Sequence, residues 1–326
     1  MSMIAVLNKF SIEAIRDALE KLNSFDNLVV NGLNAFQLNE IEKIDPELFA
    51  EVAKKIKAEK WFPFAGMWCE ADGEISDENL ARNALYSADY FRKKFGGVSR
   101  IFTADRIYSN AFAQIAFGAK YDSCYVRSEK ESYWLDSADG TRTHIAGEIE
   151  TVDVTEIDGD FIKSNEFTSL EEEIISKFSL PMELREAELP YKKSELTEDE
   201  KLLLEAEKIA VQNGEKSEEK IRELWFEIFL GNSVKDEAQK LINGRKFDSD
   251  FVKINSDTVE LIAVKFAEDG SGDVVIRIKE TAGKEQSLFI MCDSIDAGFR
   301  TEINPYETLT FRVIEDGFVK EIFIAE

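Results

Sequence analysis

The chain opens on alternating strand and helix patterns. Met3–Leu7 is a short apolar run that reads as a buried strand. Ser11–Leu22 carries Ile12, Ile15, Leu19 and Leu22 at helical spacing, with Ser11 in the N-cap position. Leu28–Val30 reads as a second strand. Leu38–Glu59 reads as a helix through Ile41, Ile44, Leu48, Val52 and Ile56, with Pro46 tolerated near a helix start. Short links between these elements imply a parallel sheet with helices outside. Ser76–Lys94 is the clearest helix: Ser76 is its N-cap, and Asp77 and Glu78 suit the dipole of its first turn. Leu80, Ala84, Leu85, Ala88 and Phe91 form its apolar face, and Gly96-Gly97 ends it. Arg100–Thr103 then reads as a strand leading into Asp105.

The second half changes period twice. Ala111–Ala119 reads as helical, Tyr121–Val126 as a strand, and Tyr133–Ile149 as a hairpin turning at Asp139-Gly140. Phe167–Lys177 predicts a helix with a face of Leu170, Ile174, Ile175 and Phe178. After a composition shift at Leu189–Ser194, Leu202–Val211, Glu218–Leu230 and Val234–Ile242 predict three helices, the first two antiparallel across a short link. The charged stretches 192–201 and 214–220 read as solvated helix faces. From Phe247 onward the runs are strands: Val259–Phe266, Val274–Glu280, Ser287–Met291, Glu307–Val313 and Val319–Ile324, with a hairpin turn at Asp269–Gly272. Regular short strands predict an all-β unit of sandwich type.

Composition narrows the function. A chain of 326 residues with 44% hydrophobic content and 24 Phe can bury more than one core. A net charge of −25 disfavours a nucleic-acid backbone or an anionic membrane as partner and suits a neutral ligand such as a sugar. No apolar run has membrane-spanning length, and the first residues lack a signal-peptide pattern, so the expected location is cytoplasmic. Cys69, Cys124 and Cys292 are widely spaced and read as buried free thiols. His144 is the single histidine, which excludes a His-rich metal site or a HExxH helix. No GxSxG elbow, Walker A loop or GxGxxG fingerprint occurs.

The chemistry concentrates in Trp61–Tyr108. Asp105 lies at the C-terminal mouth of a strand, where ligands of parallel α/β sheets bind. It is a nucleophile or a polar turn residue. Glu70 and Asp72 either touch a sugar hydroxyl or cap the region of the Ser76 helix. Trp68, Tyr108 and Trp134 form a sugar-stacking platform or belong to the core. Arg106 would pair with Asp105 and fill the position a metal would take. His144, just past a hairpin turn, reads as exposed or hydrogen-bonded.

The run from Gly66 to Gly96, GMWCEADGEISDENLARNALYSADYFRKKFG, resembles the Gly-Gly-x-Trp-x-Glu segment and following helix of the family 38 glycoside hydrolases, the class II α-mannosidases. Asp45–Trp61 resembles the helix before it. Asp105 falls at the place of the family's Pro-Asp-x-Phe-Gly motif, whose Asp is nucleophile and metal ligand. Tyr133–Arg142 is similar to an aromatic stretch of the family, and pieces of the helical and β regions are similar out to about residue 313. The departures are specific. The family's His-x-His-x-Asp segment on the first strand reads VLNKFS here, with Asn8 and Lys9. Its middle-domain His-Asp pair has no counterpart in IFLGNSVKDEAQ. Of the four expected metal ligands only Asp105 is present, and one carboxylate cannot hold a divalent ion. A retaining glycosidase also needs a second carboxyl about 5 Å away.

The resemblance implies a mixed architecture, α/β plus all-α plus all-β. A reduced (β/α) barrel-like N-terminal domain spans residues 1–195, a small helical bundle 196–246, and a C-terminal β-sandwich-like domain 247–326. Three functions fit. The first is a degenerate, non-catalytic relative that binds a carbohydrate or a partner protein at the former cleft, with no cofactor expected. The second is an active α-mannoside hydrolase with Asp105 as nucleophile, needing zinc only through ligands not yet identified. The third is a structural or regulatory subunit of a larger glycosidase.

Overall fold

The computed structural model describes residues 3–97, 99–109, 111–147, 149–177, 184–186, 196–245, 248, 251–292, 297–314, 317–322 and 324. The first apolar run forms β1 (Ile4–Val6). α1 (Ile12–Ser24) follows, with Ser11 accepting from the Ala14 amide at 3.1 Å, and β2 (Val30–Asn31) comes next. The helix expected from Leu38 to Glu59 is two helices, α2 (Ala35–Ile44) and α3 (Pro46–Lys57). Pro46 has no amide with which to continue α2 and disfavours helical backbone at Asp45. Asp45 therefore ends one helix and caps the next, accepting from the Leu48 amide at 3.0 Å. Ile44, left at the end of α2, is exposed.

The chain continues through β3 (Trp61–Phe62), α4 (Asp77–Phe95), β4 (Ile101–Ala104), α5 (Phe112–Gly118) and β5 (Ser123–Val126). The hairpin is β6 (Tyr133–Asp136) and β7 (Arg142–Ala146). β8 (Thr151–Asp153) and α6 (Gly159–Ser164) are too short to show a period and were not legible in the sequence. α7 (Leu170–Lys177) buries Leu170 and Ile174, but Ile175 is exposed, and Phe178 lies outside the described residues. β9 (Leu184–Glu186) closes this half. The expected boundaries at Leu189–Ser194 and at 246–247 also lie outside the described residues.

Three helices follow, α8 (Glu198–Gln212), α9 (Glu218–Phe229) and α10 (Lys235–Ile242). The strands after them are β10 (Lys253–Ile254), β11 (Val259–Phe266), β12 (Val274–Glu280), β13 (Gln286–Cys292), β14 (Ala297–Ile303), β15 (Thr308–Val313) and β16 (Val319–Ile322). They make two sheets, ordered β11-β12-β15-β16 and β10-β13-β14. Ile276 and Phe311 of one share a buried cluster with Leu288 and Ile290 of the other.

The first half holds a parallel sheet ordered β3-β2-β1-β8 and a mixed sheet ordered β4-β5-β7-β6-β9. The two meet where Gly66 bridges Thr103, the Thr103 amide donating to the Ala65 carbonyl at 2.7 Å. Ile4 and Val6 from one sheet and Ile101, Tyr125 and Ala146 from the other enclose a common cluster with α7. The opposite faces pack under α1 to α5, through residues such as Ile15, Leu38, Val52, Ala84 and Ile115. The strands are thus covered on both sides, as parallel strands require.

The halves share one apolar cluster, and buried charge pairs cross between them as well. Asp77 and Glu78 lie in the first turn of α4, as expected, and both are buried. Asp77 pairs with Lys279 of β12, and Glu78 with Arg277 of β12 and Arg82 one turn along α4. Arg82 forms a fork on Glu207 of α8, at 2.6 and 2.7 Å. Glu200, inside a stretch expected to be a solvated face, is fully buried. It accepts from Ser76 at 2.9 Å and from Asn79 at 3.0 Å. Burial alone would raise the Glu78 carboxyl, but Arg277, Arg82 and Lys265 overcome it and hold it at about 2.

Three outcomes follow from these contacts. A Cβ on Gly66 would lie 2.7 Å from the Thr103 nitrogen and 2.8 Å from its oxygen, at a φ of +126°. Gly66→Ala should therefore cost about 3 kcal/mol or more in urea unfolding. Arg277→Met leaves Glu78 short of a partner and should cost about 3–5 kcal/mol. Because the folded Glu78 carboxyl lies below its unfolded value, its stabilisation is complete above about 4.5 and is lost as pH falls toward 2. Unfolding of a Glu78→Gln variant should show a flatter acid limb; an unchanged slope between pH 4.5 and 2 would remove Glu78 from the account.

Candidate functional site

The site is built on the ends of β4 and β5. Asp105 is the first residue after β4, and the ladder runs on past it: the Arg127 amide donates to Ala104 at 3.0 Å and the Ser128 amide to Asp105 at 2.8 Å. The facing loop, residues 68–73, is held from below by α4. Asn83, fully buried, accepts from the Cys69 amide and donates to the Cys69 carbonyl, each at 3.2 Å. The loop is held from above by Arg106 and Tyr108. Arg106 donates to the Ala71 carbonyl at 2.9 Å and to that of Gly73, and its guanidinium lies 4.8 Å from the Tyr108 ring centre. The Tyr108 hydroxyl accepts from the Ala71 amide at 3.3 Å and donates to Asp105 Oδ1. Burial and that bond to a carboxylate push the Tyr108 phenol well above its ordinary range, so it keeps its proton and stays neutral.

Four of the expected site residues, Glu70, Asp105, Arg106 and Tyr108, thus form one group, with Asp72 exposed on the loop between the two carbonyls that Arg106 holds. Arg106 does approach Asp105, with Nε 3.9 Å from Oδ2, but its main engagement is with the loop backbone. Arg127 joins the group by pairing with Glu70. It was missed because its position depends on the β4–β5 register.

Two expected platform residues lie elsewhere. Trp68 is 4% exposed, stacked on Phe226 at 4.4 Å and edge-on to Tyr90 at 5.5 Å, so no ring face is left for a sugar. Trp134 pairs in register with His144, His144 with Ser123, and Ser123 with Ile101. That places it three strands across and four residues back from Asp105, roughly 20 Å along the sheet. His144 is not exposed: it is fully buried on β7, edge-on to Trp134 at 5.7 Å. Burial, with Lys177 nearby, pushes its imidazole down to about 4.

A further carboxylate stands at the same end of the neighbouring sheet. Asp153 ends β8 beside the end of β1 and accepts from the Thr155 amide at 2.9 Å and hydroxyl at 2.7 Å. Burial opposes its ionisation, yet the Thr155 bonds, Asn8 and Lys9 outweigh it, so the carboxyl sits below its ordinary range. β8 spans three residues, too few to mark Asp153 as a strand-end residue in the sequence.

With this geometry in place, the family comparison is specific. Residues 20–133 match the family described as glycosyl hydrolases family 38 N-terminal domain. Two solved structures share the fold over nearly the whole chain. One is a protein in the glycosyl hydrolase family 38 from Enterococcus faecalis, with 11% identity, TM-score 0.56, and coverage of 96% of this chain and 54% of that one. The other is an alpha-mannosidase from Enterococcus faecalis V583, with 10% identity, TM-score 0.56, and coverage of 97% and 56%. The resemblance read at Trp61–Gly96 therefore holds in sequence over residues 20–133 and in fold beyond them. The chain spans just over half the length of the structures it matches. No curated protein sequence matches it.

The family resemblance implies a divalent metal beside Asp105, and the residues present do not fit one. The strand ends offer Asn8, Lys9, Asp105 and Asp153. Asp105 is bonded to Tyr108 and Asp153 to Thr155, while Lys9 brings positive charge beside Asp153. Among the described residues no three His, Cys, Asp or Glu side chains come together as a ligand set. No helix among them is long and apolar enough to cross a membrane.

Since His144 is the only histidine, its titration can be read without assignment. Imidazole 15N NMR should show one group titrating at about 4 rather than 6.5. A folded pKa below the unfolded one means that stability from this residue is intact above about 6.5 and declines as pH falls toward 4. A midpoint near 6.5 would place His144 in solvent.

Proposed function

We infer that this α-mannosidase-like protein is non-catalytic and binds a carbohydrate, or a segment of a partner protein, at the mouth formed by Glu70, Asp105, Arg106, Tyr108 and Arg127. The observation that carries the reading is the pairing of both carboxylates. Asp105 accepts from Tyr108, and Glu70 is ion-paired with Arg127. A glycosidase acid–base must carry its proton near neutral pH, which takes burial or a like-charged neighbour. Glu70 has the reverse environment, being half-exposed and facing a guanidinium. A metal-assisted route lacks its ligands, with Asn8 and Lys9 where the family resemblance implies a histidine and an acid.

The same group suits recognition. Alternating carboxylates and guanidinium groups offer both acceptors and donors to sugar hydroxyls, and the part-exposed Tyr108 ring supplies an apolar edge. Binding a neutral glycan also accords with a net charge of −25.

Purified protein should give no hydrolysis of an aryl α-mannoside above background, with or without zinc, cobalt or calcium, and Asp105→Asn should change nothing in that assay. A mannose-containing oligosaccharide should bind, and Arg127→Ala should weaken it about tenfold by freeing Glu70 from its partner. Turnover that disappears in Asp105→Asn would make Asp105 a nucleophile and overturn the reading. Co-purification with a hydrolase and no sugar affinity would favour the subunit role.

A further inference from the structure

A second concave site lies away from this mouth, where the three parts of the chain converge. It is a cavity of about 580 Å³, within the range that holds a small organic ligand. It is bounded by α4, the end of α5, α9, β12 and β16. Leu85, which also packs against the main core, and Ala88 line this cavity from the apolar face of α4, together with Ala119, Val275 and Ile322. They give it an apolar floor.

The rim is basic in a strongly acidic protein. Arg92, Lys93, Lys120, Arg222 and Arg312 line it, against the carboxylates of Asp89, Glu268 and Asp269. Each carboxylate is already engaged. Glu268 accepts from Lys265 at 2.8 Å and from Tyr86 at 3.0 Å. Asp269 accepts from the Ser271 amide at 3.0 Å and from Arg312 at 2.7 Å, Arg312 also reaching Asp273. Asp89 alone faces three cations: Lys93 at 2.7 Å, Arg222 at 2.9 Å and Arg92 at 3.8 Å. Arg222 also acts on Glu268, yet the cavity lining carries five cations against three carboxylates. The Arg222 guanidinium carbon lies 4.3 Å from the Tyr86 ring centre, and its buried Nε has no hydrogen-bond partner among the described residues. Lys120 takes a left-handed conformation, with φ of +73°, which a lysine rarely adopts. The net charge of −25 does not forbid an anion here, since screening at physiological salt falls within about 8 Å and local cations dominate.

We propose that this junction cavity binds a small phosphorylated organic molecule, the phosphate received by the Arg222, Arg92, Lys93 and Lys120 rim and the organic body lying on the Leu85–Ala88 floor. Guanidinium forks and a lysine ammonium are the groups that recognise phosphate oxygens. An apolar floor selects a ligand with a carbon body over a bare inorganic anion.

The test is isothermal titration of the full chain with glucose 6-phosphate, inorganic pyrophosphate and glucose at low and physiological salt. Glucose 6-phosphate should bind, more weakly as salt rises, and glucose should not. Arg222→Gln should lower the affinity tenfold or more, although it also removes a contact to Asp89. Lys120→Gly keeps the fold secure, because glycine accepts that φ without strain, and it too should weaken binding severalfold. Lys163→Gln, on the exposed face of α6, should leave it unchanged. No binding of glucose 6-phosphate, binding of pyrophosphate alone, affinity unaffected by Lys120→Gly, or an equal loss in Lys163→Gln would each overturn the proposal.

Discussion

The structure depends on one buried ionic knot at the start of α4. Glu78 is fully enclosed and meets two guanidinium groups, Arg82 from its own helix and Arg277 from β12; Arg82 in turn forks onto Glu207 of α8. Such a knot is not a cheap source of stability, since desolvating several charges costs about as much as their attraction returns. Its effect is to make other dockings costly. If α8 or β12 slid by one residue, a carboxylate or guanidinium would be left buried without its partner. The orientation of three parts of the chain is therefore fixed by charge matching, and a cation–π contact of Arg82 with the Trp225 ring at 4.4 Å adds to it.

That constraint reaches the strand mouth through a short mechanical path. With the first turn of α4 pinned, Asn83 on the same helix stands where it can hold Cys69, and the loop carrying Glu70 follows. Gly66 brings the loop's other end against Thr103 of β4, and Asp105 stands two residues further on. The mouth is thus held in place, and its polar groups are already partnered: Glu70 with Arg127, Asp105 with the Tyr108 hydroxyl, Arg106 with two carbonyls. A catalytic pair needs one carboxyl kept protonated and another kept free. The junction cavity is the contrary case, with cations in excess of the carboxylates that face them.

Much of the fold was legible in the sequence. The Ser76 cap, the Gly96 stop, the Asp139-Gly140 hairpin and β11 and β12 fall where local pattern put them, because caps, turns and period-two alternation are decided within a few residues. Asp105 was legible as a strand-end carboxylate for the same reason. The one long helix that became two turned on Asp45-Pro46, a local signal whose strength was underweighted.

The sequence by itself determined most of the elements, the net charge of −25 and the presence of a single histidine. Only the tertiary structure decided what the charged residues were for. Asp77, Glu78 and Glu200 look like ordinary first-turn acids, and nothing near them in sequence says otherwise. Their partners lie far along the chain, Arg277 being 199 residues from Glu78 and Lys279 202 from Asp77. Tertiary packing chose the core for Trp68 out of two readings left open, buried His144, and set Leu85 and Ala88 along a cavity. Periodicity marks which face of an element is apolar. What that face meets is set by elements far away in sequence, and burial turns a surface charge into a structural one.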